Sequence, residues 1–330
     1  MTKIAVIGAG TWGIALARLL SLKKHDVCVW SAIESEIDNL QNTRTHHILK
    51  DMVIPDNMTF TKKLDEAMAN CSVVLMAVPS VFVRNTSEKV KEYFTDDMII
   101  VDVAKGMEAE SLLTMSEIIN DVIPKATVVA LTGPTHAEEV AFDLPTTIVA
   151  ACEDEKSACF VQELFMTDTF RVYTNTDKKG VEFAGSIKNV MALGVGISRG
   201  LGYGDNTTAA LITRGLAEIV RLGVKMGCNK ETFYGLAGVG DLIVTCTSVH
   251  SRNFKAGKLL GEGKTAEEAK KEVGMVVEGM NMLPAAMKLI EKYEVEMPIV
   301  EGVNEIVNQK LSPDEAVKLL MGRNKKGENK

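Results

Sequence analysis

The sequence has no CxxC pair, no HExxH pattern and no uninterrupted apolar run long enough to cross a bilayer. Its six cysteines (Cys28, Cys71, Cys152, Cys159, Cys228 and Cys246) are scattered. In a chain of 330 residues this argues against a disulfide framework and for reduced thiols in the cytosol. The five histidines give no metal-binding spacing. His136-Ala137-Glu138-Glu139 brings His and carboxylates together but reads better as a solvated first helical turn, so no metal is expected. There is no excess of positive charge either. A net charge of −7 speaks against non-specific nucleic-acid binding. The most charge-poor stretch, about Ala67 to Val83, is broken by Asn70, Ser72, Pro79 and Ser80, which excludes a membrane span. Met1-Thr2-Lys3 leads directly into a strand pattern, so no signal peptide is expected. No Pro- or Ser-rich linker, internal repeat or low-complexity tract divides the chain.

What remains is the balance of a globular enzyme, 46% hydrophobic and 25% charged, long enough for one large or two ordinary domains. The first half alternates short β-branched runs with helical stretches. Strands are expected at Ile4–Gly8, Asp26–Trp30, Val73–Ala77, Met98–Val103, Thr127–Leu131, Thr146–Ala150 and Phe170–Thr174. Helices are expected near Trp12–Leu22, Ser80–Tyr93 and Ser111–Val122. Near-continuous apolar strands alternating with helices imply a doubly wound, Rossmann-like α/β sheet over residues 1–177. After Asp177 only helical periodicity remains, at Val181–Ser198, Thr207–Met226, Asn253–Leu260, Thr265–Val273, Val277–Lys292, Pro298–Asn308 and Pro313–Leu320. Residues 178–330 therefore read as a second, all-helical domain, with substrate binding and catalysis expected there. The charged tail Gly322–Lys330 is expected to fray.

Gly8-Ala9-Gly10-Thr11-Trp12-Gly13 lies between an expected strand and an expected helix, the context that gives this spacing meaning. Gly8 permits the tight turn, Gly10 lets a pyrophosphate approach the backbone, and Gly13 lets helix and strand pack. Free N–H groups at the helix start would meet the phosphate charge. The loop points to NAD or NADP. After the second strand the chain reads Trp30-Ser31-Ala32-Ile33-Glu34, with no basic residue before Arg44, which leans toward NAD.

Other polar residues fall where a site is expected. Lys105 and Gly133-Pro134-Thr135 follow strands whose carboxyl ends border the ligand crevice. The alternative for Lys105 is an exposed loop lysine. Lys188 lies in an apolar helix among Ala184, Gly185, Ala192, Gly194 and Gly196. A charge buried there is costly unless paired or used; the alternative is a snorkelling lysine. Asp241 and Thr245 are four apart, one face if helical. Ser251 or Asn253 could cap a helix, and Arg252 suits a phosphate, although an isolated arginine is more often a surface ion-pair former.

Together these segments resemble the bacterial NAD(P)-dependent glycerol-3-phosphate dehydrogenases, from Lys3 to about Arg323. The resemblance rests on GAGTWG, AVPS (Ala77–Ser80), AKGME, LTGPTHAEE, FRVYTN, GSIKNVMALGVG, GLGYGDNT, ALITRGLAE, GVGDLIVTCTSVHSRN and MVVEG, in that order. It implies interconversion of dihydroxyacetone phosphate and sn-glycerol 3-phosphate, with a pathway role in supplying glycerol 3-phosphate for phospholipid synthesis. It implies Lys188 as proton acceptor in oxidation, with Lys105 and Asp241 as its catalytic neighbours. It also places Lys105, Gly133, Thr135, Lys188, Asn189, Asp241, Thr245, Ser251, Arg252 and Asn253 around the substrate. Thr11, Trp12, Lys105, Ala137, Arg252, Val276 and Glu278 match cofactor-contact positions. Members of that family often carry His or Arg just after the second strand; Ala32 and Ile33 stand there in this chain, a departure that bears on NADP. Partners beyond the small phosphorylated substrate are not indicated, and a homodimer stays open.

Hydride delivery to a carbonyl carbon builds negative charge on its oxygen, which calls for a cation and a proton donor beside it. Lysine ordinarily titrates near 10.4. Burial and Lys105 would lower Lys188, Asp241 would oppose the lowering, and the sequence leaves the net direction open. A dehydrogenase for another hydroxy acid would share the Gly8 loop but need no Arg252-Asn253 pair. A non-catalytic dinucleotide sensor would need neither lysine.

Overall fold

The computed structural model describes residues 1–325, 327 and 328. Its first part runs β1 (Lys3–Ile7), α1 (Thr11–Leu22), β2 (Asp26–Trp30), α2 (Glu34–Thr43), β3 (Met58–Thr61), α3 (Leu64–Met68), β4 (Val73–Met76), α4 (Val83–Lys91), β5 (Ile99–Asp102), α5 (Met115–Val122), β6 (Thr127–Thr132), α6 (Ala137–Val140), β7 (Thr146–Ala151), α7 (Glu155–Phe165) and β8 (Phe170–Asn175). The strands form one sheet in the order β3-β2-β1-β4-β5-β6-β7-β8. The central strands β1, β4, β5 and β6 are buried except at the first residue of β1, β5 and β6, with separate apolar cores on the two faces. That double cover is why they read as unbroken apolar runs.

The structure departs from the sequence expectation in several ways. β3 was not anticipated. It is a four-residue edge strand, Met-Thr-Phe-Thr, whose pairing with β2 supplies what its short pattern does not. Second, the sheet is not wholly parallel, because β7 pairs antiparallel with β6 while β8 pairs parallel with β7. The single turn of α6 does not carry the chain back along the sheet, as a parallel crossover must. The expected helix Ser111–Val122 also begins later, at Met115. Thr114 caps it in a capping box with Glu117, and Leu112 before it is left-handed at φ 60°.

After Asp177, whose side chain accepts the Gly180 N–H at 3.0 Å, the chain is helical. It comprises α8 (Lys178–Gly200), α9 (Asp205–Lys225), α10 (Asp241–Thr247), α11 (Arg252–Gly261), α12 (Ala266–Val273), α13 (Glu278–Tyr293), α14 (Pro298–Val307) and α15 (Pro313–Met321). The long α8 is buried on all sides and forms the axis of this half. Its small residues serve a close helix crossing. A Cβ on Gly257 of α11 would lie 2.2 Å from the Leu193 carbonyl oxygen, and one on Gly196 of α8 would lie 2.2 Å from that of Phe254. The two backbones therefore touch, and this fixes Asn189 of α8 against Asn253 of α11. Gly257→Ala should cost about 2–3 kcal/mol, read as a lowered urea midpoint. Gly302→Ala, whose Cβ meets nothing within 4 Å, should be neutral or slightly stabilising.

Candidate active site

The glycine loop has the geometry its sequence asks for. Gly8 has φ 121°, and a Cβ there would lie 2.5 Å from the Ala77 carbonyl oxygen at the end of β4. A Cβ on Gly13 would lie 2.3 Å from the Gly8 carbonyl oxygen, whereas one on Gly10 meets nothing within 4 Å. The loop is thus closed toward the protein and open toward a ligand. Gly10 starts α1 without a side-chain cap, and the Thr11 Oγ1 is buried with no partner among the described residues. An uncapped helix start, an open glycine and an orphaned hydroxyl fit a dinucleotide pyrophosphate. Trp12 and Ala137 both pack against the core under this loop, where α6 lies on α1.

Three charged groups meet where the two halves join. Asp241 is 1% exposed, and its carboxylate bridges two lysines, Lys105 Nζ at 2.7 Å and Lys188 Nζ at 2.9 Å. Lys105 comes from the loop after β5 and also donates to the Gly133 carbonyl at 3.1 Å. Lys188 comes from the middle of α8 and also donates to Thr245 Oγ1. Thr245 lies one turn after Asp241 on α10 and donates to the Asp241 carbonyl at 2.7 Å, as the spacing of four anticipates. A short π-helical turn, Leu236–Gly240, precedes α10 and aims its first residue into the cleft.

Burial lowers the Lys188 ammonium pKa. Asp241 pulls it back up and Lys105 pushes it down, and the net result is about 8. The direction left open by sequence is therefore downward. Burial pushes the Asp241 carboxyl up, but the two ammoniums more than offset it and hold it below the usual range.

The other expected residues surround this triad at different removes. The Thr135 hydroxyl donates to the Gly133 carbonyl at 3.2 Å. Asn189 and Asn253 are buried and joined at 2.9 Å, and Asn253 accepts the Gly279 N–H at 2.8 Å. Ser251, rather than Asn253, caps α11, accepting the Phe254 N–H at 3.2 Å. Arg252 opens α11, exposed and without a hydrogen-bond or ion-pair partner among the described residues. Val276 lies in the turn before α13. Glu278, expected at the cofactor, accepts the Ser80 N–H at 3.1 Å and the Ser80 hydroxyl at 2.5 Å. It clasps the end of the β4 loop to the helical half. His136 opens α6 half-buried, not solvated, and its ring lies 5.8 Å from that of His250. Burial and the nearby Lys188 lower its pKa.

Two contributors escaped the sequence reading. Ser80 has no feature marking it as a partner for a residue 198 positions away. Asp102 closes β5. It is buried, its Oδ1 accepts the Ala104 N–H at 3.3 Å, and so it braces the turn that carries Lys105. Burial and the like charge of Glu182 push its carboxyl well above the ordinary range.

Comparison with known proteins shows the family of the chain. Residues 3–158 match the N-terminal model of NAD-dependent glycerol-3-phosphate dehydrogenase, and residues 177–318 match the C-terminal one. The chain belongs to the NAD-dependent glycerol-3-phosphate dehydrogenase family. Within it, the chain is 57% identical to glycerol-3-phosphate dehydrogenase (NAD(P)+) 2 of Lactobacillus delbrueckii subsp. bulgaricus, with 99% of each covered. It is 50% identical to the Agathobacter rectalis enzyme, covering 100% of this chain and 98% of that protein. Among solved structures it is similar to glycerol-3-phosphate dehydrogenase from Coxiella burnetii, with a TM-score of 0.94 at 35% identity over 98% and 99% of the two chains. No helix among the described residues is long and apolar enough to cross a membrane.

Proposed function

We propose that Lys188 gives a proton to the substrate oxygen in reduction and takes it back in oxidation. The chain is an NAD(P)-dependent oxidoreductase that interconverts dihydroxyacetone phosphate and sn-glycerol 3-phosphate. Bound dinucleotide supplies the hydride chemistry at C2. We assign residues 1–177 to holding it and residues 178–330 to the substrate.

The single observation that carries this reading is the Lys105–Asp241–Lys188 triad, built by the loop after β5 together with α8 and α10. As charge grows on the carbonyl oxygen, two ammoniums already stand beside Asp241 and need no reorganisation. With Lys188 near 8, both its acid and its base forms are accessible close to neutral pH, which suits a group that must act in both directions. Asp241 keeps the two lysines apart from one another and oriented. The Gly133 carbonyl fixes Lys105, and Thr245 fixes Lys188. Arg252, without a partner among the described residues, would bind the phosphate through its fork. The start of α11 adds the field of a helix N-terminus. Asn253 and Asn189 hold that helix start in register with Lys188. A role in supplying glycerol 3-phosphate to phospholipid synthesis, in the cytoplasm, is consistent with this chemistry.

The test is oxidation of reduced nicotinamide cofactor in the presence of dihydroxyacetone phosphate, with unphosphorylated dihydroxyacetone as control. Only the phosphorylated ketone should turn over efficiently. Arg252→Ala should raise KM for it roughly 100-fold, the loss of a charge-assisted bidentate contact, while changing kcat much less. An unchanged KM removes Arg252 from the phosphate site.

A further inference from the structure

We propose that the Ser31–Glu36 pair at the carboxyl end of β2 makes this protein selective for NADH over NADPH. The inference rests on the dinucleotide reading of the glycine loop. The Gly8 N–H donates to the Trp30 carbonyl at 2.8 Å, so the end of β2 lies directly beside that loop. In this fold the adenosine ribose of a dinucleotide reaches the end of the second strand, where an acid binds its 2′-hydroxyl or an arginine accepts a 2′-phosphate.

Neither residue type follows Trp30 directly. Ser31 stands there, buried, and its hydroxyl donates to Glu36 Oε2 at 2.6 Å while accepting the Ile33 N–H at 3.1 Å. The serine proton is therefore spoken for, and what the pair offers a ligand is acceptor oxygen. The carboxylate that a dinucleotide fold ordinarily carries on the strand is supplied here from the first turn of α2, five residues on. A ribose 2′-hydroxyl, a donor, meets an acceptor. A 2′-phosphate, an acceptor carrying negative charge, meets Glu36 with Glu34 in the same helical turn.

The nearby cation does not rescue the phosphate. Lys62, whose backbone carbonyl accepts the Trp30 indole N–H at 3.1 Å, already pairs with Asp38 at 2.7 Å and Glu34 at 3.4 Å. Two carboxylates already share that one ammonium. Arg44, at the far end of α2, is turned onto the Pro55 carbonyl and the Phe60 ring. Ile33, where a cation would complement the phosphate, is an exposed apolar side chain.

The experiment compares NADH with NADPH in two readouts: Kd by quenching of protein fluorescence, and kcat/KM on dihydroxyacetone phosphate. The wild type should favour NADH by roughly 100-fold in both, as an uncompensated like charge demands. Glu36→Gln keeps an acceptor for Ser31 but removes the charge. It should reduce the ratio at least tenfold, chiefly by tightening NADPH. Ile33→Arg should move the ratio the same way. Equal or better binding of NADPH by the wild type overturns the proposal, as does a Glu36→Gln ratio equal to the wild-type ratio. If neither cofactor is oxidised with dihydroxyacetone phosphate, the functional reading fails, and the Kd ratio still decides the role of the pair.

Discussion

Lys188→Ala is expected to fold, bind dinucleotide and lose turnover by roughly a thousandfold or more, the scale of a lost general acid–base in a preorganised site. Folding survives because the substitution removes a charge rather than stranding one. Asp241 keeps Lys105 at 2.7 Å, and alanine suits the interior of α8. The pH profile carries the finer test. With Lys188 near 8, reduction needs its ammonium form and should decline as pH rises through that value, whereas oxidation needs the free amine and should rise. Both limbs should vanish in Lys188→Ala. Stopped-flow measurement of both directions between pH 6 and pH 10 reads them. A variant that keeps near-wild-type kcat rejects Lys188 as the proton carrier.

Asp241→Asn should damage both stability and chemistry. The wild-type carboxylate offsets two ammoniums, one of them 5% exposed on α8. A neutral amide of the same shape leaves them facing each other in a dry site. Breaking a buried pair in this way costs about 3–5 kcal/mol, and a urea titration at pH 7 measures it. The Lys188 pKa should fall below 8, because the influence that raises it is gone while burial and Lys105 remain. The alkaline limb of the reductive profile should therefore move to lower pH. A lysine whose folded pKa lies below its unfolded one opposes folding at low pH, and that penalty is relieved as pH rises through the folded value. The variant should regain stability as pH rises from that lowered folded value toward the ordinary value of an unfolded lysine, about 10.4. A limb that stays in place, or moves upward, means Asp241 does not tune Lys188.

Much of this was local enough to be read in the sequence. The glycine loop is made by residues within one turn of each other, so spacing alone fixes a tight turn, an open backbone and a close packing contact. Buried strands announce themselves because each one is covered on both faces. Helices in the second half carry their own period and several of their own caps, Thr265 and Ser312 among them. The family resemblance drew Lys105, Lys188 and Asp241 into one site before any coordinate did so.

Other features belong to the tertiary structure alone. The strand β3 exists because β2 offers an edge, and four residues hold too little pattern to declare it. The reversal at β7 depends on how far α6 travels. Glu278 and Ser80 meet across 198 positions, and Lys105 and Asp241 across 136. The proton affinity of Lys188 shows the division most clearly. Sequence named burial, Lys105 and Asp241 as acting on it, missed Cys246, and could not give the direction of the sum. That sum depends on how dry the site is and on separations of a few ångströms, and both are set only when α8, α10 and the β5 loop close on one another.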